Sequence, residues 1–100
     1  MRFTQHVVVW TDEPEALQAL FEEWNADDAA SAPGYLGGQL LAFRDKPGRY
    51  VIHAEFDSWE NAQLNSERPE TQAWAARLAE ILTAESKYEN LDVLASSRSQ

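Results

Sequence analysis

Residues 34–57 read GYLGGQLLAFRDKPGRYVIHAEFD. Two stretches rich in β-branched and aromatic residues flank Asp45-Lys46-Pro47-Gly48, where Pro and Gly make a turn. A four-residue connection predicts a hairpin, 34–44 against 49–57. The early glycines weaken the first arm and permit a bulge. Alternation in the second arm puts Tyr50, Ile52, Ala54 and Phe56 on one face, and Val51, His53 and Glu55 on the other.

Working outward, residues 3–11 (FTQHVVVWT) read as a strand, and Val7-Val8-Val9 suggests that both its faces are covered. Asp12 followed by Glu15 resembles a capping box, with Pro14 in the first turn. Leu17, Leu20, Phe21 and Trp24 then recur as one apolar helical face. This helix is expected to fade through residues 27–30 and to stop at Pro33-Gly34. Downstream, Ser58 caps a short helix over about 59–65. Pro69 reopens the helical pattern, with Trp74, Leu78, Ile81 and Leu82 on one face to about Thr83. Residues 88–94 (YENLDVL) read as a last strand.

The order is β-α-β-β-α-β, the ferredoxin-like α+β plan: one antiparallel sheet with both helices on one face. Residues 1–95 are expected to form a single domain, and 96–100 a flexible polar tail. The uncovered sheet face carries Val51 and alternate members of the outer strands. Apolar surface of that kind marks an interface, so a homodimer joined sheet to sheet is expected.

Composition bounds the function. The 100 residues hold 17 acidic and 8 basic side chains, a formal charge of −9. That balance argues against nucleic acid and anionic membrane surfaces, which bind through clustered Lys and Arg. The absence of cysteine excludes disulfides, thiol nucleophiles and Cys-ligated metal sites. No apolar run reaches the ~20 residues of a membrane span, and the N-terminus lacks a signal-peptide pattern, so a cytoplasmic protein is expected.

Pro33-Gly34-Tyr35-Leu36-Gly37-Gly38-Gln39-Leu40-Leu41 resembles the PGFLG-x-x-L segment of the antibiotic biosynthesis monooxygenase family. Arg49-Tyr50 and the later Phe56-Asp57-Ser58-Trp59-Glu60-Asn61-Ala62 resemble a second, looser stretch of that family. The likeness runs over about residues 3–94. It implies a dimeric α+β barrel with a pocket between helices and sheet in each subunit. It also implies one of several activities: oxidation of phenolic polyketides to quinones by oxygen without a cofactor, haem degradation, or none assigned. The haem-degrading members carry a pocket Trp, a His about nine residues later and an Asn on the first strand. Here those places fall on Phe56, Asn65 and Gln5 or His6. Asn65 cannot replace an imidazole on iron, which disfavours haem.

Seven residues are candidates for the site. His6 is the candidate base for a phenolic proton: the resemblance implies a polar first-strand residue in the pocket, an imidazole ordinarily titrates near ~6.5, and the pattern of the first strand leaves its face open. Asn65, at the polar end of the short helix, would donate to a developing oxyanion. Its bland reading is a helix terminus. Trp24, Tyr50, Phe56, Trp59 and Trp74 would line the pocket for a flat aromatic ligand, or simply pack the core. His6, His53 and Glu55 form a candidate metal cluster, but without a ligand from a helix or loop no metal is assigned. Arg68 reads as a surface ion pair with its acidic neighbours, or as a contact for an acidic ligand. Two functions follow: a cofactor-independent monooxygenase acting on a small phenolic substrate, or a non-catalytic dimeric small-molecule-binding protein on the same fold.

Overall fold

A computed structural model describes residues 1–97. It contains β1 (Phe3–Trp10), α1 (Pro14–Glu23), β2 (Tyr35–Ala42), β3 (Arg49–Phe56), α2 (Trp59–Glu67), α3 (Pro69–Glu80) and β4 (Lys87–Asp92). The four strands form one antiparallel sheet in the order β2-β3-β1-β4. The helices lie on one face, giving the α+β plan read from the sequence. Of the expected tail, residues 98–100 lie outside the described residues, and 96–97 belong to no helix or strand.

The bulge expected near the glycines falls between Tyr35 and Gly37, where the β2–β3 register shifts. It re-aims Tyr35 at Phe56 on the helix-facing side. Gly34, at φ 64°, takes the left-handed turn that enters β2. A β-carbon there would collide with Asp57 and Asn61.

The start of α1 differs from the expected capping box. Glu13 occupies the cap position and makes no side-chain cap bond. Thr11 serves instead: its Oγ1 accepts from the Glu13 N–H at 3.0 Å and donates to the Ile81 carbonyl at 2.5 Å. One buried hydroxyl therefore ties the end of β1 to the end of α3. Ser58 caps α2 as expected, its Oγ accepting from the Asn61 N–H at 3.1 Å. The end of α1 loosens toward Pro33-Gly34 as expected. It widens into a π-helical turn, Trp24–Asp28, followed by a 3₁₀ turn, Ala29–Ser31.

Alternation along β1 is resolved by its partners. Phe3, Gln5, Val7 and Val9 pair with Phe56, Ala54, Ile52 and Tyr50 and face the helices. Thr4, His6, Val8 and Trp10 face the other way. The core divides in two. Val7, Val9, Leu17, Leu20, Ile52 and Leu78 form one buried cluster. Phe3, Phe56 and Ala62 form the other. Between them lies a cavity.

Candidate active site

The cavity, about 210 Å³, opens between the sheet and the helices. Sheet residues Gln5, Val7, Ile52, Ala54 and Phe56 form its floor. Phe21, Trp24, Tyr35 and Trp74 form an aromatic wall, and Asn65, Ser66, Thr71 and Gln72 a polar corner where α2 meets α3.

The aromatic wall is continuous. Trp74 and Trp24 stand 5.8 Å apart between ring centroids, Trp24 and Tyr35 6.4 Å, and Tyr35 and Phe56 5.5 Å. All three pairs are tilted or edge-on, the arrangement favoured by ring quadrupoles. Two hydrogen bonds fix the rings. Trp74 Nε1–H donates to the Leu20 carbonyl at 2.9 Å, and the Tyr35 hydroxyl donates to Asn25 Oδ1 at 2.9 Å. The π turn that follows α1 carries both Trp24 and Asn25, so this local widening sets the wall. Gly38 leaves the space that Tyr35 needs: a β-carbon there would lie 2.8 Å from the Tyr35 hydroxyl.

The polar corner is built around Asn65, which is buried. Its Oδ1 accepts from Arg68 Nη1 at 3.2 Å and from Thr71 Oγ1 at 3.1 Å. A guanidinium only donates, so the carbonyl end of the amide must face Arg68. The Nδ2 donor then has no protein partner among the described residues and is available to a ligand in the cavity. Arg68 also reaches Ser31 Oγ at 2.9 Å and Glu70 Oε2 at 3.3 Å. It thus forms the surface pair read from the sequence and clamps the α2–α3 junction to the end of the π and 3₁₀ turns. Glu70 is held below the usual carboxylate range by its own backbone hydrogen bond and by Arg68.

Among the lining residues none carries a formal charge, and the ionisable ones are Tyr35 and Tyr88. Burial pushes the Tyr35 phenol above its ordinary range, against the lowering effect of its bond to Asn25. A raised folded-state pKa means that the folded chain binds this proton more tightly than the unfolded chain. The resulting stability is full below about pH 10 and is lost as pH rises through the raised value. Wild-type protein should therefore lose more stability between pH 8 and pH 11 than Tyr35→Phe, measured by urea unfolding. Equal losses would contradict this.

Four of the seven sequence candidates meet in the cavity: Trp24, Phe56, Asn65 and Trp74. Tyr50 faces the helices but packs on the Val7–Val9 cluster, outside the cavity lining. Trp59 stands edge-on to Phe3 with centroids 5.1 Å apart and is 41% exposed, also outside it.

His6 is corrected in placement. It pairs with His53 in register and lies on the opposite face of the sheet from the cavity. Because Val7, Val8 and Val9 are all apolar, the sequence pattern left this face undecided. There His6 Nε2 stands 3.0 Å from His53 Nδ1, and His53 Nε2 stands 3.1 Å from Glu55 Oε2. A carboxylate only accepts, so His53 Nε2 is the donor to Glu55, while the direction of the His6–His53 bond depends on the tautomer. This is a linear chain of hydrogen bonds, with no convergence on one point. Among the described residues no group of three or more His, Asp or Glu side chains is arranged to hold a metal ion. Of the two first-strand positions the resemblance left open, Gln5 is the one that lines the cavity, and sequence reasoning missed Tyr35, Thr71 and Gln72. Tyr35 sits within the quoted glycine-rich segment, but the bulge that aims it has no fixed sequence signal.

No protein-family model matches the sequence, and no curated relative does. Solved structures do. SnoaB, a cofactor-independent oxygenase from Streptomyces nogalater, superposes with a TM-score of 0.82 at 20% identity over 98% of both chains. Rv0793 from Mycobacterium tuberculosis gives 0.81 at 18% identity, over 98% of this chain and 100% of that one. A Caulobacter crescentus CB15 protein, provisionally assigned as an antibiotic biosynthesis monooxygenase, gives 0.81 at 18% identity over 94% and 91%. The chain therefore has the antibiotic biosynthesis monooxygenase fold. At such identities the likeness is one of fold, and chemistry must be argued from the site.

Proposed function

We propose that this protein is a cofactor-independent monooxygenase that oxidises a small phenolic aromatic with molecular oxygen, working as a cytoplasmic homodimer. One observation carries the reading: Asn65, its carbonyl anchored by Arg68 and Thr71, lines an uncharged cavity walled by aromatic rings, which leaves its Nδ2 donor for a ligand. Such a site holds a flat ring system by packing and stabilises negative charge on one of its oxygens. SnoaB, of the same fold, is a cofactor-independent oxygenase.

The cavity brings no carboxylate or imidazole to the substrate. The substrate must therefore be a phenol or anthrone acidic enough to ionise by itself. The chain desolvates this anion, orients it and donates from Asn65 to its oxygen. The electron-rich ring carbon reduces oxygen. One oxygen atom ends as the new ring carbonyl, and the other leaves as water, whose two hydrogens both come from the oxidised carbon of an anthrone, or one from the ring carbon and one from the hydroxyl of a phenol. Haem degradation is disfavoured because both histidines lie outside the cavity.

The test is oxygen uptake by the purified protein with a panel of anthrones, naphthols and hydroquinones. Uptake above the uncatalysed rate, with quinone formed, supports the reading. Tight binding without uptake across the panel would overturn it in favour of the second reading, a non-catalytic binding protein, which the closed aromatic wall supports equally.

The dimer reading rests on the sheet face away from the helices. Thr4, Val8 and Val51 lie there, and Leu41 and Leu91 are 40% and 43% exposed. Arg49 stacks on Phe43 at 4.4 Å and on Trp10 at 5.7 Å, with its Nε buried and unpartnered. The face is mixed, since it also carries His6, His53 and Glu55, and Thr4, Val8 and Val51 are already buried in the single chain; the reading rests on the exposed Leu41 and Leu91 at its two sides. Leu41→Glu should give a folded monomer where wild type is a dimer, read by analytical ultracentrifugation. Monomeric wild-type protein would refute the dimer.

A further inference from the structure

Beside the cavity runs a groove of about 450 Å³ between α3 and β4. The two share Ala75, Leu78 and Tyr88 in their walls, so the groove adjoins the cavity there. The fold explains the groove. The helix-facing residues of β4 (Tyr88, Asn90 and Asp92) are all exposed, so no helix covers that edge of the sheet. Its floor is held in place. Leu82 bridges to Thr11, the Thr83 N–H donates to the Trp10 carbonyl at 2.8 Å, and the Ile81 carbonyl accepts from the buried Thr11 hydroxyl. The groove is therefore preformed. Beyond the shared residues its apolar lining is Ala79, Leu82 and Ala84. Its polar lining is Thr83, Glu85 and Ser86.

Size makes the groove matter. The cavity alone falls below the roughly 300 Å³ at which pockets for drug-sized ligands begin. It fits a small fused-ring body, and an extension of that body past Tyr88 would enter the groove.

Resting on the ligand-binding reading above, we propose that the groove is the second half of the site and takes an apolar arm attached to the ring system. The arm's class follows from the lining. It is an uncharged alkyl or hydroxyalkyl chain whose polar end meets Thr83 and Ser86. A carboxylate end is disfavoured by Glu85.

The probes are 2-naphthol and a hexyl derivative of it, titrated against the wild-type protein by quenching of tryptophan fluorescence. The hexyl compound should bind at least about tenfold more tightly, because several methylenes leave water. Ala79 is exposed, so Ala79→Phe fills the groove without disturbing the core. In this variant the ratio of the two affinities should fall close to one, and Ala79→Leu should give an intermediate ratio. An undiminished ratio in both variants, or equal binding of the two compounds by wild type, would overturn the groove while leaving the cavity standing. No binding of 2-naphthol itself would instead overturn the cavity reading, and the groove with it.

Discussion

Asn65→Ala is expected to lower the rate of substrate oxidation by about a hundredfold or more, the usual cost of losing one fixed donor to a developing oxyanion. The loss should fall mainly on kcat, because the donor matters most where charge on the oxygen is greatest. The amide is set by two donors on one side, Arg68 and Thr71, and Arg68 in turn holds Ser31. Asn65→Asp should be no rescue: it keeps the acceptor for Arg68 but puts a carboxylate where the ligand needs a donor. Measured by quinone formation under saturating substrate, a loss below about threefold in Asn65→Ala would remove Asn65 from the mechanism.

Leu17→Ala is expected to be the most damaging truncation for stability. Leu17 is fully buried in the first core cluster, at 0% exposure, packed with Val7, Val9, Leu20, Ile52 and Leu78. Truncating such a leucine costs about 2–5 kcal/mol, through lost transfer energy and the cavity left behind. For a domain of this size that lowers Tm by roughly 10–25 °C. Differential scanning calorimetry would show it, and a shift under about 3 °C would mean that this cluster does not carry the fold.

The same contrast runs through what the sequence made legible. The hairpin of residues 34–57 could be read because its turn carries Pro47 and Gly48 and its second arm alternates cleanly. The helices could be read because Leu17, Leu20, Phe21 and Trp24 keep a single period. Helix ends were less legible, since the expected cap bond is not made and Thr11 instead fixes the turn into α1 through the Glu13 N–H. The acidic run after Trp24 gave no sign of a π turn. The site divides along the same line. Trp24, Phe56 and Trp74 were readable because each lies on an amphipathic face. His6 was not, because β1 is apolar on both sides and a shift of one residue sends a strand side chain to the opposite face. Tyr35 depended on a bulge, and Thr71 on the sharp break between α2 and α3 at Arg68. Both are tertiary features with little local signal.

The account places the chemistry on the helix side of the sheet and away from the histidine pair. A crystal structure of the protein soaked with 2-naphthol tests this most directly. The account predicts the ring system inside the aromatic wall, with its oxygen within hydrogen-bonding distance of Asn65 Nδ2. A naphthol bound on the opposite sheet face, against His6 and His53, would contradict it.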